Sequence, residues 1–446
     1  MTACPSDSVI YRQLLGDAEV GQLFSDTAEV RAMMLVEGAL AKAQGDAGVI
    51  PETAAAAIHR ASMELQLDPG GLAASVGLNA LPIPALVTLF REAMQAPEHA
   101  QYLHWGATSQ DIMDTALALR LRQALAIIER RLTETLSALG RLAETHAETP
   151  MVARTYGQAA VITSFGAHVA NWGNPLLRHH SRLAVVREDV TQVSFSGAAG
   201  TLSVLGGDGP RIRAALARAL NLSDPGATWH SQRDGIAALG GWLTGLTGSL
   251  AKMGEDLLIL TQSGIEEVSL GSGGASSTMP QKSNPVLPSL LSAIAKQSVG
   301  LNAAIQSALP HRQERDAAHW ITEWMSLPQL VILAARATAV GSELALGLNP
   351  DKDRMRQHIA HTGGTVFAEA LSFALSADMP RPEAQEAVKA LVARARETGR
   401  QLEEVAREHH GGLDLSAVFG PAAQLGTAPA EARRFAQLVR AVGATT

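Results

Sequence analysis

Apolar residues recur along much of this chain at steps of three and four, the spacing of one face of an α-helix. Leu121, Leu125, Ile128, Leu132, Leu136 and Leu139 form one such stripe, and no proline interrupts the segment before Pro150. Some 35 helical residues would span roughly 50 Å at about 1.5 Å each, so this helix needs neighbours of similar length. Residues 155–177 hold no Asp, Glu, Lys or Arg, and in 286–309 Lys296 is the only charge. A helix without a charged face is buried on all sides or sits in a membrane. Scattered Ser, Asn and Gln argue against a membrane span, which leaves burial by other helices, some of them from partner subunits. Between these stretches Trp242, Leu246, Leu250, Met253, Leu257 and Leu260 share a stripe within 234–262, where Gly241, Gly245 and Gly248 would admit a neighbouring backbone. Residues 320–346 give one more long helix. The pattern predicts a bundle of about five long helices.

Shorter helices flank it. On the N-terminal side they run over 27–47, closing at Gly48, then from Pro51 to about 67, and over 85–94. After Asn349-Pro350 they cover 365–377 and 382–406, with a turn at His409 to Gly412. The expected fold is all-α: an N-terminal helical domain (1–105), a central long-helix bundle that carries oligomerisation (106–347) and a C-terminal helical domain (348–446). Hydrophobic residues at 46% allow a large core, and aromatics at only 4% favour helices over sheets. A net charge of -7, with both signs interspersed, argues against nucleic-acid and membrane partners. An anionic substrate would then need a local basic site. Cys4 is the only cysteine, which excludes an intrachain disulfide framework and a cysteine metal site and fits a reducing compartment. The first residues lack a cationic region followed by an apolar run, so a cytoplasmic location is expected.

Five stretches could carry chemistry. GGASSTMPQKSNP, Gly273 to Pro285, cannot be helix or strand interior. It can set a hydroxyl, an ammonium and an amide around one anion, and it also reads as a solvated linker. Removing a proton α to a carboxylate creates a dianion that needs a base on one side and cationic or amide donors on the other. Ser276 is the candidate base, as an alkoxide, and Lys282 and Asn284 are candidate carboxylate binders. Simple turn chemistry is the competing reading for the serine. In HWGATSQD, Thr108 and Ser109 stand where a helix begins, and Asp111 falls within its first turn. Hydroxyls and free N–H groups there make either an anion site or an ordinary cap. RTYGQ, Arg154 to Gln158, is read as opening the first uncharged helix, its polar groups facing substrate or a neighbouring helix. In WHSQRD, Arg233 faces an anion or forms an exposed pair with Asp234. HRQERDAAHW holds Arg315 and Asp316 and also reads as a solvated charged turn.

HWGATSQD, RTYGQ, SSTMPQKSNP and QERD occur in the order of the signature regions of the fumarase/aspartase superfamily, and the chain resembles that superfamily over nearly its whole length. LFSDTAEVRAMMLVEGALAKAQ, GATSQDIMDT, SGAAGTL from Ser196 to Leu202 and WHSQRD resemble its bacterial carboxymuconate cycloisomerase branch most. The resemblance implies Ser276 and Lys282 as catalytic residues. It implies Thr108, Ser109, Gln158, Arg233, Ser277, Thr278, Met279, Asn284 and Arg315 as substrate contacts. Fumarases and adenylosuccinate lyases keep a histidine at the place of Tyr156, and a phenol cannot replace an imidazole near neutral pH. Cycloisomerases resemble this chain in lacking it, consistent with a carboxylate leaving group that needs no proton. Glu267 stands about where the family keeps a glutamate supporting that histidine. Ser283 and Gln281 occupy places often held by arginine and histidine.

The implied reaction is closure of 3-carboxy-cis,cis-muconate to 4-carboxymuconolactone through an aci-carboxylate, with no metal or organic cofactor. The implied assembly is a homotetramer with active sites shared between subunits, acting on a small di- or tricarboxylate. The alternatives are a C–N lyase resembling adenylosuccinate lyase, which releases fumarate, and a non-catalytic helical scaffold.

Overall fold

The computed structural model describes residues 7–271, 273–275, 278–279 and 282–443. The principal helices, in chain order, begin with α1 (Asp26–Asp46), α2 (Glu52–Glu64), α3 (Ile83–Met94) and α4 (Ser109–Thr145). A hairpin of β1 (Pro150–Thr155) and β2 (Gln158–Ser164) precedes α5 (Phe165–Val190), α6 (Asp208–Leu220) and α7 (Asp234–Leu260). Short strands β3 (Val268–Leu270), β4 (Gly274–Ala275) and β5 (Ser283–Asn284) lead to α8 (Val286–Ser307) and α9 (Ala317–Gly347). The chain closes with β6 (Leu348–Pro350), α10 (Lys352–His361), α11 (Arg381–Thr398), α12 (Leu402–His409) and α13 (Ala428–Gly443). Among the described residues the fold is helical with three two-stranded antiparallel ladders, β1–β2, β3–β6 and β4–β5.

Helices α4 and α7 fall where the stripes predict, and capping explains both ends of α1. Ser25 accepts a hydrogen bond from the Ala28 amide at the start of α1, with Asp26 and Glu29 in the first turn. Past its end, Gly48 takes a left-handed φ of 71°, and Val49 donates back to the Gln44 carbonyl. By length and composition α9 could cross a bilayer, yet 61% of its apolar window is buried inside the chain, as in a core helix.

Three expectations change. Residues 155–164 are not the opening of a helix: they complete β1 and form β2, in register Thr155↔Gln158 and Arg154↔Ala159. Tyr156 and Gly157 have φ of 51° and 75°, the two positive values of a tight hairpin turn, and the β-branched Val161, Ile162 and Thr163 follow. The expected helix over 382–406 is two helices, because Gly399 is left-handed with φ 66° between α11 and α12. Within this chain the close backbone approach on α7 is not at the three glycines singled out. Gly241 and Gly248 face open space within the chain and Gly245 faces the His179 ring, whereas a Cβ on Gly254 would lie 2.8 Å from the Pro288 carbonyl oxygen.

The chain divides into two compact units. The first comprises residues up to Arg130, His179–Gly248 and Ala293–Thr338. Its core joins Met33, Met34 and Leu40 of α1 to Ile58, Phe90, Ile112, Phe195 and Leu216. The second comprises Arg131–Arg178, Ser249–Ser292 and Ala339 onward. One of its cores sets Val152 and Ile162 of the hairpin against Ile359, Phe367, Leu391 and Leu402. The α4 stripe is buried in both units: Leu121, Leu125 and Ile128 in the first, Leu132, Leu136 and Leu139 in the second. Each such side chain contributes roughly 2 kcal/mol by leaving water.

Candidate active site

In the first unit the start of α4 is built around a fully buried carboxylate, Asp111. Its Oδ2 accepts from the Thr108 amide and the Gly197 amide, both at 3.0 Å. Its Oδ1 accepts from the Ser196 amide at 2.9 Å and from His230 Nε2 at 2.8 Å. The Asp111 amide donates in turn to the Thr108 carbonyl, closing a reciprocal cap. One side chain thus fixes the helix start, the SGAAG loop and the histidine of WHSQRD. Bonded to a carboxylate, Nε2 carries the hydrogen, and the buried Nδ1 of His230 has no hydrogen-bond partner among the described residues.

Thr108 and Ser109 are half-buried beside this hub. Arg315 joins them: its Nε donates to Gln110 Oε1 at 2.8 Å, and its Nη2 donates to the Ala198 carbonyl at 3.2 Å and to Thr108 Oγ1 at 3.4 Å. All three acceptors are neutral, so the guanidinium brings uncancelled positive charge to a helix N-terminus. Gln110 is buried and also donates to Asp114 and to the His230 carbonyl.

Arg233 does not belong to this group. Its Nη1 donates to Asp114 Oδ2 at 2.8 Å and its Nε to Glu323 Oε1 at 2.9 Å, with both ends of the pair buried. Burial alone would lower its pKa, but the two carboxylates outweigh that and hold it above its ordinary value. The anions expected opposite Arg233 are therefore side chains of this chain. Its pair with Asp234 is replaced by a buried triad because α4 and α9 bring two carboxylates to it.

The second unit holds the remaining candidates. The Gly273–Pro285 stretch is tied at its base by Gly274↔Asn284 and Ala275↔Ser283, and the Lys282 amide donates to the Met279 carbonyl at 3.1 Å. Lys282, Thr278 and Met279 are exposed, and Asn284 is half-buried. Ser276 and Ser277 lie outside the described residues, as does Gln281. Gln158 is exposed at the hairpin turn, beside a fully exposed Tyr156.

Sequence reasoning left Glu267 without a partner, and the structure supplies two. Arg154 Nη1 and Nη2 each donate to it at 2.9 Å, and His358 Nδ1 lies 2.7 Å from its Oε1. The carboxylate is fully buried, which raises its pKa, yet the bonds from Arg154 and His358 win and leave it below the ordinary value. Because Glu267 immediately precedes β3, this clamp fixes the approach to the Gly273–Pro285 stretch. A further cluster was also missed: Trp172 Nε1 donates to Asp256 at 2.7 Å, His168 Nε2 lies 3.5 Å away and Lys252 pairs with the same carboxylate. Among the described residues no group of three His, Cys, Asp or Glu is placed to hold a metal ion.

Comparison with known proteins adds the decisive observation. Residues 17–300 match the model of a family described as lyase. The chain belongs to this lyase family. A curated relative from Pseudomonas aeruginosa, a 3-carboxy-cis,cis-muconate cycloisomerase, is 38% identical over 94% of this chain and 93% of its own length. Among solved structures, the 3-carboxy-cis,cis-muconate lactonizing enzyme from Pseudomonas putida superposes with a TM-score of 0.92 at 33% identity, covering 98% of this chain and 100% of that one. The corresponding cycloisomerase from Acinetobacter calcoaceticus sp. ADP1 gives 0.89 at 30%, over 96% and 99%. The likeness to the fumarase/aspartase superfamily, and to its cycloisomerase branch, is thus a property of the whole lyase chain.

Proposed function

We propose that this lyase-family chain closes 3-carboxy-cis,cis-muconate to 4-carboxymuconolactone. The observation that carries the reading is the end-to-end likeness to enzymes named for that substrate. The chemistry of the residues agrees. A carboxylate oxygen of the substrate adds to a conjugated double bond, and the displaced π electrons collect on another carboxyl group as an aci-carboxylate. That dianion needs fixed positive and amide donors. Lys282 and Asn284 supply them from one segment, and Thr108, Ser109 and Arg315 from a helix start. Ser276 then delivers a proton to the α-carbon, with Ser277, Thr278, Met279 and Gln158 as substrate contacts. No redox partner is required, since bonds shift within one molecule and one proton is transferred.

The protein acts as a cytoplasmic homotetramer in which the segment 106–347 carries assembly between the flanking segments 1–105 and 348–446. Support comes from large apolar side chains left exposed on long helices, Val185, Val299 and Met325 among them. Each active site draws its parts from more than one subunit.

A progress curve with 3-carboxy-cis,cis-muconate tests the activity: muconate absorbance falls if the reading holds. Fumarate absorbance rising from a succinyl-amine substrate would support a C–N lyase instead. Ser276→Ala should lower kcat by orders of magnitude with the assembly intact, and Lys282→Met should raise KM and lower kcat together. Near-wild-type kinetics in either variant would remove that residue from the mechanism.

A further inference from the structure

A second concave site lies in the first unit, between α1, α2, α4 and the end of α6. The cleft has a volume of about 670 Å³, and Arg31, Lys42, His59, Arg120 and Arg122 line it, with no Asp or Glu among the described lining residues. Its apolar wall includes Leu23, Ala28, Leu35 and Leu119. It shares no residue with the Asp111 hub. Leu119 stands ten positions beyond Ser109, roughly 15 Å further along α4 at about 1.5 Å per residue.

The basic groups are not equivalent. Lys42 pairs with Asp46 at 3.1 Å, and Arg120 lies 3.4 Å from Glu29. Among the described residues Arg31 and Arg122 bind only neutral oxygens. Arg31 donates to the carbonyls of Ser62 and Met63 near the end of α2, and Arg122 Nη1 donates to the Leu220 and Asn221 carbonyls at the end of α6, each at 2.6 Å. Two guanidiniums therefore bring charge to one cleft, with no carboxylate among the described residues bonded to either. His59 adds a buried Nδ1 without a hydrogen-bond partner among the described residues. Helix-end carbonyls orient the arginines and supply only partial negative charge, so an anion entering the cleft would gain a charge-assisted hydrogen bond from either.

We propose that this cleft binds a small amphipathic organic anion, an apolar or aromatic body bearing one carboxylate or sulfonate. The volume lies within the range of small-molecule sites, and a largely apolar wall with a few converging polar groups is their usual composition. A bare phosphate would leave the wall unfilled. A cation would meet five basic side chains.

Fluorescence titration of the full chain with 8-anilinonaphthalene-1-sulfonate tests this. One saturable site per chain is expected, displaced by benzoate and not by benzyl alcohol. Arg122→Gln should weaken it about tenfold, the weight of one charge-assisted hydrogen bond. Ala219→Trp, at an exposed position on the cleft wall, should abolish it while the thermal midpoint and muconate turnover stay unchanged; Gln123→Trp replaces it if that variant does not fold. Lys282→Met should leave the affinity unaltered, which separates this site from the catalytic one. Absence of a saturable site, equal binding in the tryptophan variant, displacement by benzyl alcohol, or loss of binding in Lys282→Met would each overturn the proposal. Apart from muconate turnover, none of these readouts needs the proposed reaction to be correct, because the midpoint alone certifies the fold.

Discussion

Arg233 and Arg315 follow similar short polar strings, and only their surroundings separate them. Arg233 is enclosed with Asp114 and Glu323, so Arg233→Met should cost about 3–5 kcal/mol, since two buried carboxylates lose their counter-ion. Urea unfolding at neutral pH measures it. Arg315 bonds neutral oxygens at a half-buried position, so Arg315→Met should spare stability and instead raise KM. Glu267 gives a pH-dependent case. Its native pKa lies below the ordinary 4.5, so its stabilising contribution is complete above that value and is lost as pH falls through the lower native one. Glu267→Gln should therefore destabilise the protein at neutral pH and flatten the acid limb of a stability profile. An unchanged acid limb would mean that other carboxylates govern it. None of these pairings was legible in the sequence, because the partners stand far apart in it: Arg154 and Glu267 by 113 positions, His230 and Asp111 by 119. A motif string announces that polar groups are present; which of them meet is settled by packing.

Whole elements were more readable, for a physical reason. A stripe repeated over many turns, with no proline, leaves the backbone few alternatives, and α4 and α7 lie close to where their stripes place them. Residues 155–164 were read from their lack of charge, which does not distinguish a buried helix from a partly exposed hairpin. The discriminating signal was the pair Tyr156-Gly157, which occupies the two left-handed positions of the turn. Gly157→Val should disturb that turn, destabilising the chain by about 1 kcal/mol or more, and should impair turnover through the adjacent Gln158. Thermal denaturation and kcat/KM measure the two effects. A loss of stability with unaltered kinetics would detach the hairpin turn from the site.

At the scale of the whole molecule, a site whose parts come from different subunits has a distinctive signature. Ser276→Ala and Gln158→Ala proteins, each inactive, should regain activity when dissociated together and reassembled, because some mixed sites receive both native residues. Activity assay after co-refolding reads this directly, and no recovery would place both residues on one subunit. The molecule also faces a difficulty, since it carries a net charge of -7 and is proposed to take up a triply charged acid. Asp111, set at the mouth of the helix that should greet that acid, looks like the wrong residue there. Yet four hydrogen-bond donors already saturate it, so what it presents outward is not its own charge but the rigidity of the groups it holds. A saturated anion can serve as the mortar of an anion receptor, provided none of its lone pairs is left facing the guest.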